Sequence, residues 1–160
     1  MSAIVYLNLD GTAEQAIEYY SEALTANEVK KVKFKDFPQD PNYPMPENEL
    51  NMVMESSIQF TGGKIMMSDI LPSMKKITGD VVRGNNVLIS LVIDDKQMLE
   101  EYFKNLSVGG IVMMPLSSTP WSSCFGMLVD KFGVTWKFNS DADLFLDKVI
   151  SDKENSNYGN

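Results

Sequence analysis

The chain contains two segments, 82 residues apart, that carry the same succession of residue types. In the first, Thr12 stands three residues before Gln15, and Ala16, Ile17, Tyr20 and Leu24 follow. In the second, Asp94, Gln97, Met98, Leu99, Tyr102 and Leu106 take the same places. A Thr or Asp three residues ahead of Gln has the spacing of a capping box, and apolar residues at these intervals form one face of a helix. Each helical pattern follows a strand-like run, Ala3 to Leu9 and Asn86 to Ile93. Two copies of one supersecondary unit are therefore expected.

The runs after each helix complete the unit. Glu28 to Phe37 alternates Val32 and Phe34 with Lys31, Lys33 and Lys35, as a half-exposed strand does, and lysines there discourage edge-to-edge pairing. Phe37 to Leu50 holds Pro38, Pro41, Pro44 and Pro46 and reads as a long loop. Asn51 to Phe60 and Lys64 to Asp69 flank Thr61-Gly62-Gly63, a hairpin signal. In the second half, Gly109-Gly110 lead into a strand over Ile111 to Leu116 and a hairpin over Trp121 to Asn139. That hairpin turns at Asp130-Lys131-Phe132-Gly133, where Gly133 can take a positive φ and Asp130 can bond back to nearby amides. Asp143 to Ile150 reads as a short amphipathic helix, and Ser151 to Asn160 as a frayed polar tail. The expected fold is α+β: two tandem β-α-β-β-β modules, about 1–70 and 84–140, in one domain over 1–140, with the helix and tail over 141–160.

Charge and residue content narrow the function. A net charge of -8 argues against nucleic acid, whose binding leans on clustered Lys and Arg. No run of about eighteen apolar residues is present to cross a bilayer. The N-terminal MSAIVYLNLDG lacks a basic segment followed by an apolar stretch and cleavage site. Cys124 is the single cysteine and cannot form an internal disulfide, so a cytoplasmic setting is expected. The chain has no histidine, which removes Ser-His-Asp and Cys-His sites and every metal site that needs imidazole. No cofactor is expected.

The segments YLNLDGTAEQAIEYYSEAL (Tyr6 to Leu24), KIMMSDI (Lys64 to Ile70) and FGMLVDKFGVTWKFN (Phe125 to Asn139), in this order, resemble the vicinal oxygen chelate superfamily. Within it the PhnB-like branch of glyoxalase, bleomycin-resistance and dioxygenase proteins is the nearest likeness. The resemblance covers the chain up to about Asn139 and implies curved mixed sheets around a cleft, commonly in a homodimer. It implies ligand positions on the first and last strand of each module: Val5 or Tyr6, Met66 to Asp69, Leu88 or Ile89, and Trp136 to Phe138. Metal-dependent members place a carboxylate where this chain has Trp136-Lys137-Phe138. Neither strand register supplies His or Glu at these places, and Asp69 alone cannot hold a divalent ion. The branch is sometimes labelled a demethylubiquinone methyltransferase domain, but no glycine-rich nucleotide-binding loop is present to carry that activity.

These features set out the candidate ligand-binding residues: Tyr6, Asn8, Met67, Asp69, Ser90, Trp121, Cys124 and Trp136. Each also has an ordinary structural role open to it: core packing for Trp121, Trp136 and Met67, turn capping for Asp69, an inert thiol for Cys124. The expected function is a metal-independent protein that binds a small apolar or aromatic molecule, as a homodimer. Two other readings compete with it: a metal-free enzyme using Asp69, Tyr6 or Cys124, and an interaction protein whose sheets serve only dimerisation.

Overall fold

The 82-residue spacing reappears in the side chains that the two principal helices bury. Ile17 and Tyr20 on one helix and Leu24 capping its end are buried, as are Leu99, Tyr102 and Leu106 on the other. The computed structural model describes residues 3–157 and divides into two compact units, Met1–Gly84 and Asn85–Asn160.

The first unit runs β1 (Val5–Leu9), α1 (Ala13–Ala23), β2 (Glu28–Lys33), β3 (Val53–Phe60), β4 (Gly63–Asp69) and a single turn of helix, α2 (Lys75–Thr78). Its sheet has the order β1-β4-β3-β2. β1 and β4 are parallel, and the other neighbours are antiparallel. Leu9, Ile58, Phe60, Ile65 and Met67 are buried on the side of the sheet that α1 covers.

The second unit runs β5 (Ile89–Val92), α3 (Lys96–Ser107), β6 (Ile111–Thr119), β7 (Ser122–Val129), β8 (Thr135–Asn139) and α4 (Ala142–Asn157). Its order, β5-β8-β7-β6 with β5 and β8 parallel, repeats the first sheet. Ile89, Leu91, Leu128, Trp136 and Phe138 form the buried side under α3. Phe103 of α3 packs edge-on against Phe138 at 5.0 Å. It also lies over Gly126, where a Cβ would come within 3.0 Å of its ring and 2.8 Å of Leu116. Only glycine admits that close approach. The expected two-module α+β fold is thus present, one four-stranded mixed sheet and one main helix per unit.

Several local expectations are corrected. Thr12 makes no side-chain cap; the amide of Ala13 instead donates to Asp69 Oδ1 at 2.9 Å, a partner 56 residues away. The cap of α3 is Asp95, which accepts from Met98 N at 3.1 Å, one residue later than the spacing gave. β2 stops at Lys33 and passes into a 3-10 turn over Phe34–Asp36. β6 extends to Thr119; its register shifts let this edge strand carry Pro115, which could not donate within a central ladder. α4 continues through Asn157 rather than ending at Ile150, with Leu144, Leu146 and Ile150 exposed, while residues 158–160 lie outside the described range. The proline-rich loop is anchored by a charge: Glu49, 1% exposed, accepts from Ser73 N and Ser73 Oγ, each at 2.7 Å.

Candidate functional site

In each unit the main helix, α1 or α3, packs on one side of the sheet, and alternation along the strands decides which residues reach the opposite, open side. In β1, Leu7 and Leu9 pair with Met67 and Asp69 on the helix side. Tyr6 and Asn8 therefore stand on the open face, opposite Met66 and Ser68. Met66 continues across to Ser57, and Ser57 to Lys30. Tyr6 is 43% exposed. Its phenol pKa is raised, first by partial burial and then by the nearby Glu55 carboxylate, while a hydrogen bond with Ser68 pulls the other way.

In the second unit, Ile89 and Leu91 pair with Trp136 and Phe138 on the helix side. The open face carries Ser90 opposite Lys137, and Lys137 continues to Met127 and Met114. The next row runs Val92, Asn139, Phe125 and Ser117. Trp121 stacks edge-on against Phe125 at 5.9 Å and is 40% exposed. Beyond Phe125 on β7, Ser123 opens onto a groove of about 310 Å³ between the β6–β7 turn and α4, lined also by Trp121, Asp141, Phe145 and Lys148. There Ser123 Oγ donates to Asp141, which holds that carboxyl below its ordinary value.

The sequence candidates thus separate by face. Tyr6, Asn8, Ser90 and Trp121 lie on open surfaces. Met67, Asp69, Cys124 and Trp136 lie on the helix sides, where their side chains take part in packing or bonding. Met67 and Trp136 are fully buried. Trp136 Nε1 donates to Asp130 Oδ2 at 2.8 Å. Both oxygens of Asp69 accept backbone amides, from Ala13 and from Val53, each at 2.9 Å. Burial, and then Glu100, raises the Cys124 thiol pKa, which opposes a thiolate nucleophile. A one-residue slip exchanges faces, so Met66, Ser68 and Lys137 stand where sequence alone left several choices. Asn139 and Phe125 carried no sequence signal. Lys137 did: it is the sole charged residue in the four strands of the second sheet. Among the described residues no group of three His, Cys, Asp or Glu is gathered that could hold a metal ion.

The family described as 3-demethylubiquinone-9 3-methyltransferase matches residues 1–139. The chain belongs to that family. Protein YjdN of Escherichia coli K12 is 32% identical over 142 residues, covering 84% of this chain and 91% of YjdN. Protein PA1353 of Pseudomonas aeruginosa superposes with a TM-score of 0.73 at 28% identity, over 88% of this chain and 98% of its own. A PhnB protein of Bacillus cereus shares the fold with a TM-score of 0.63 at 22% identity, over 88% and 99% of the two chains. The same fold is found in a member of the glyoxalase/bleomycin resistance protein/dioxygenase superfamily from Sphaerobacter thermophilus, with a TM-score of 0.50 at 20% identity over 88% and 98% of the two chains. No helix among the described residues is long and apolar enough to cross a membrane.

Proposed function

We propose that this family member is a metal-independent binding protein whose ligand, a small apolar or aromatic molecule, lies against an open sheet face. The observation that carries the reading is what those faces hold. Tyr6, Asn8, Met66 and Ser68 stand on one, and Ser90, Phe125, Met127 and Lys137 on the other. A few hydrogen-bonding groups set among methionine and aromatic side chains suit a small organic ligand. They do not suit a divalent ion, which needs several anionic or imidazole ligands and would be repelled by an ammonium group.

The family description names a methyl transfer, and a nucleoside-type methyl donor would need a site of its own. The β1–α1 turn carries one glycine, Gly11, and the leading amide of α1 at Ala13 is already bonded to Asp69. These residues do not fit such a donor. An enzymatic reading has one candidate group on this face, the Tyr6 phenol beside Ser68 and Glu55, but its raised pKa makes it a weaker proton donor than an ordinary tyrosine. Turnover abolished by Tyr6→Phe, with binding kept, would establish it.

The reading includes a homodimer and a cytoplasmic setting. Both sheets have unpaired outer strands that a second copy can cover, and the lone thiol of Cys124 is buried. Sedimentation at tens of micromolar should give twice the 18.0 kDa chain mass; the monomer mass would remove the dimer. Binding is tested with N-phenyl-1-naphthylamine, an uncharged aromatic probe. Its fluorescence should rise saturably, with quenching of tryptophan emission that weakens in Trp121→Phe. A linear, unsaturable response would overturn the binding reading.

A further inference from the structure

We propose that the second sheet's open face recognises an acidic group on its ligand, with Lys137 as the anchoring cation. The inference rests on the binding reading above and adds the ligand's chemical class. No other residue of β5, β6, β7 or β8 is charged. Lys137 sits in an inner strand of that sheet, between Ser90 of β5 and Met127 of β7, and it is partly buried. It makes no ion pair among the described residues, whereas Lys30, Lys31, Lys33 and Lys75 all do. A partly desolvated ammonium group among thioether and aromatic side chains gains most from an anion that brings its own charge. The hydroxyl of Ser90, on the neighbouring strand in register with Lys137, supplies a second donor for the same anion.

A second observation points to the same face. Asn139, two residues along β8 and so on the same side, is 7% exposed, and its Oδ1 has no hydrogen-bond partner among the described residues. Buried polar atoms are seldom left unpaired without a reason. Beside it lie Phe125 and, stacked on Phe125, Trp121. Cation, unpaired acceptor and aromatic wall together fit an aromatic or alicyclic acid that also carries a hydrogen-bond donor, such as a hydroxyl or ring N–H. Carboxylate, sulfonate and enolate share the chemistry that Lys137 would read.

Two fluorescent probes with one ring system separate this inference from the reading beneath it: uncharged N-phenyl-1-naphthylamine, and 1-anilinonaphthalene-8-sulfonate, which adds an anionic group. The full chain should bind the sulfonate more tightly than the neutral probe. Lys137→Met should weaken the sulfonate about tenfold or more, the scale of one charge-assisted hydrogen bond, and leave the neutral probe within about twofold. Lys137→Arg should retain the preference, and Asn139→Asp, which puts a negative charge on the face, should reduce it. Equal loss of both probes in Lys137→Met, with Lys137→Arg no better, would assign Lys137 to folding and overturn the inference. So would unchanged sulfonate binding in Lys137→Met. If the sulfonate binds through Lys137 while the neutral probe does not bind, the anion site stands and the general apolar reading falls. If neither probe binds, both fall.

Discussion

The indole Nε1 of Trp136 donates to Oδ2 of Asp130 at 2.8 Å, joining the tip of the last hairpin to the core of the second unit. Asp130 Oδ1 meanwhile accepts the amides of Phe132 at 2.8 Å and Val134 at 3.0 Å, closing a turn in which Gly133 takes φ 84°. The spacing D-x-x-G-x-x-W thus serves one carboxylate. Alternation beyond the turn sends Trp136 and Phe138 under α3 and leaves Lys137 on the open face.

Removing that carboxylate leaves a buried indole N–H and two turn amides without their acceptor. Asp130→Ala should therefore destabilise the fold by about 2–3 kcal/mol, the range for losing hydrogen bonds to a charged, buried group. Urea unfolding followed by far-ultraviolet circular dichroism measures it, and a change below a few tenths of a kcal/mol would contradict the role.

Asp69 is expected to act on stability and not on binding. Its two oxygens hold the first amide of α1 and the first amide of β3, and its charge faces the positive end of a helix. Asp69→Asn turns one acceptor into a donor facing an amide, which should cost roughly 2 kcal/mol or more. Probe affinity of the folded protein should stay as in the parent chain. A selective loss of affinity at unchanged stability would return Asp69 to the binding site.

The contact of α1 with β2 sets an acid-side dependence. Hydrogen bonds from Lys31 and then Lys33 lower the Glu14 pKa from its ordinary 4.5 to about 2. A depressed folded value gives stability that is complete above 4.5 and is lost as pH falls towards 2. The pair is well exposed, with 42% of the Glu14 side chain accessible, so solvent screening should hold the effect to roughly 1 kcal/mol or less. The stability gap between the parent and Glu14→Gln should narrow through that window. A gap independent of pH would show that the ion pairs contribute nothing.

Metal binding gives the fourth test. Purified without a histidine tag and dialysed separately against zinc, nickel and manganese, the chain should retain no stoichiometric ion. The reason lies in the donors: Tyr6, Ser68, Ser90 and Lys137 offer neither imidazole nor a set of carboxylates. A tightly held ion whose loss follows Tyr6→Phe or Ser90→Ala would reverse this reading.

The sequence by itself determined the repeat and hence the architecture. The equivalence of Ile17 with Leu99, Tyr20 with Tyr102 and Leu24 with Leu106 is a local periodicity, and burial in both units follows it. The Asp130–Gly133 turn was legible for the same reason, since its chemistry is contained in a few consecutive residues. Tertiary structure decided what depends on partners distant in the chain. Thr12 makes no side-chain cap, and the first amide of α1 is held by Asp69, a carboxylate 56 residues away that only the folded sheet brings there. Glu49 became a buried loop anchor only because Ser73 folds against it. Above all, strand register was settled across the sheets and not along the strands. Pairing of Leu7 with Met67 and of Ile89 with Trp136 turned Met67 and Trp136 inward, and left Met66 and Lys137 on the open faces. A pleated strand has period two, so every such assignment reverses with a shift of one residue, and only the hydrogen-bonded neighbours fix it.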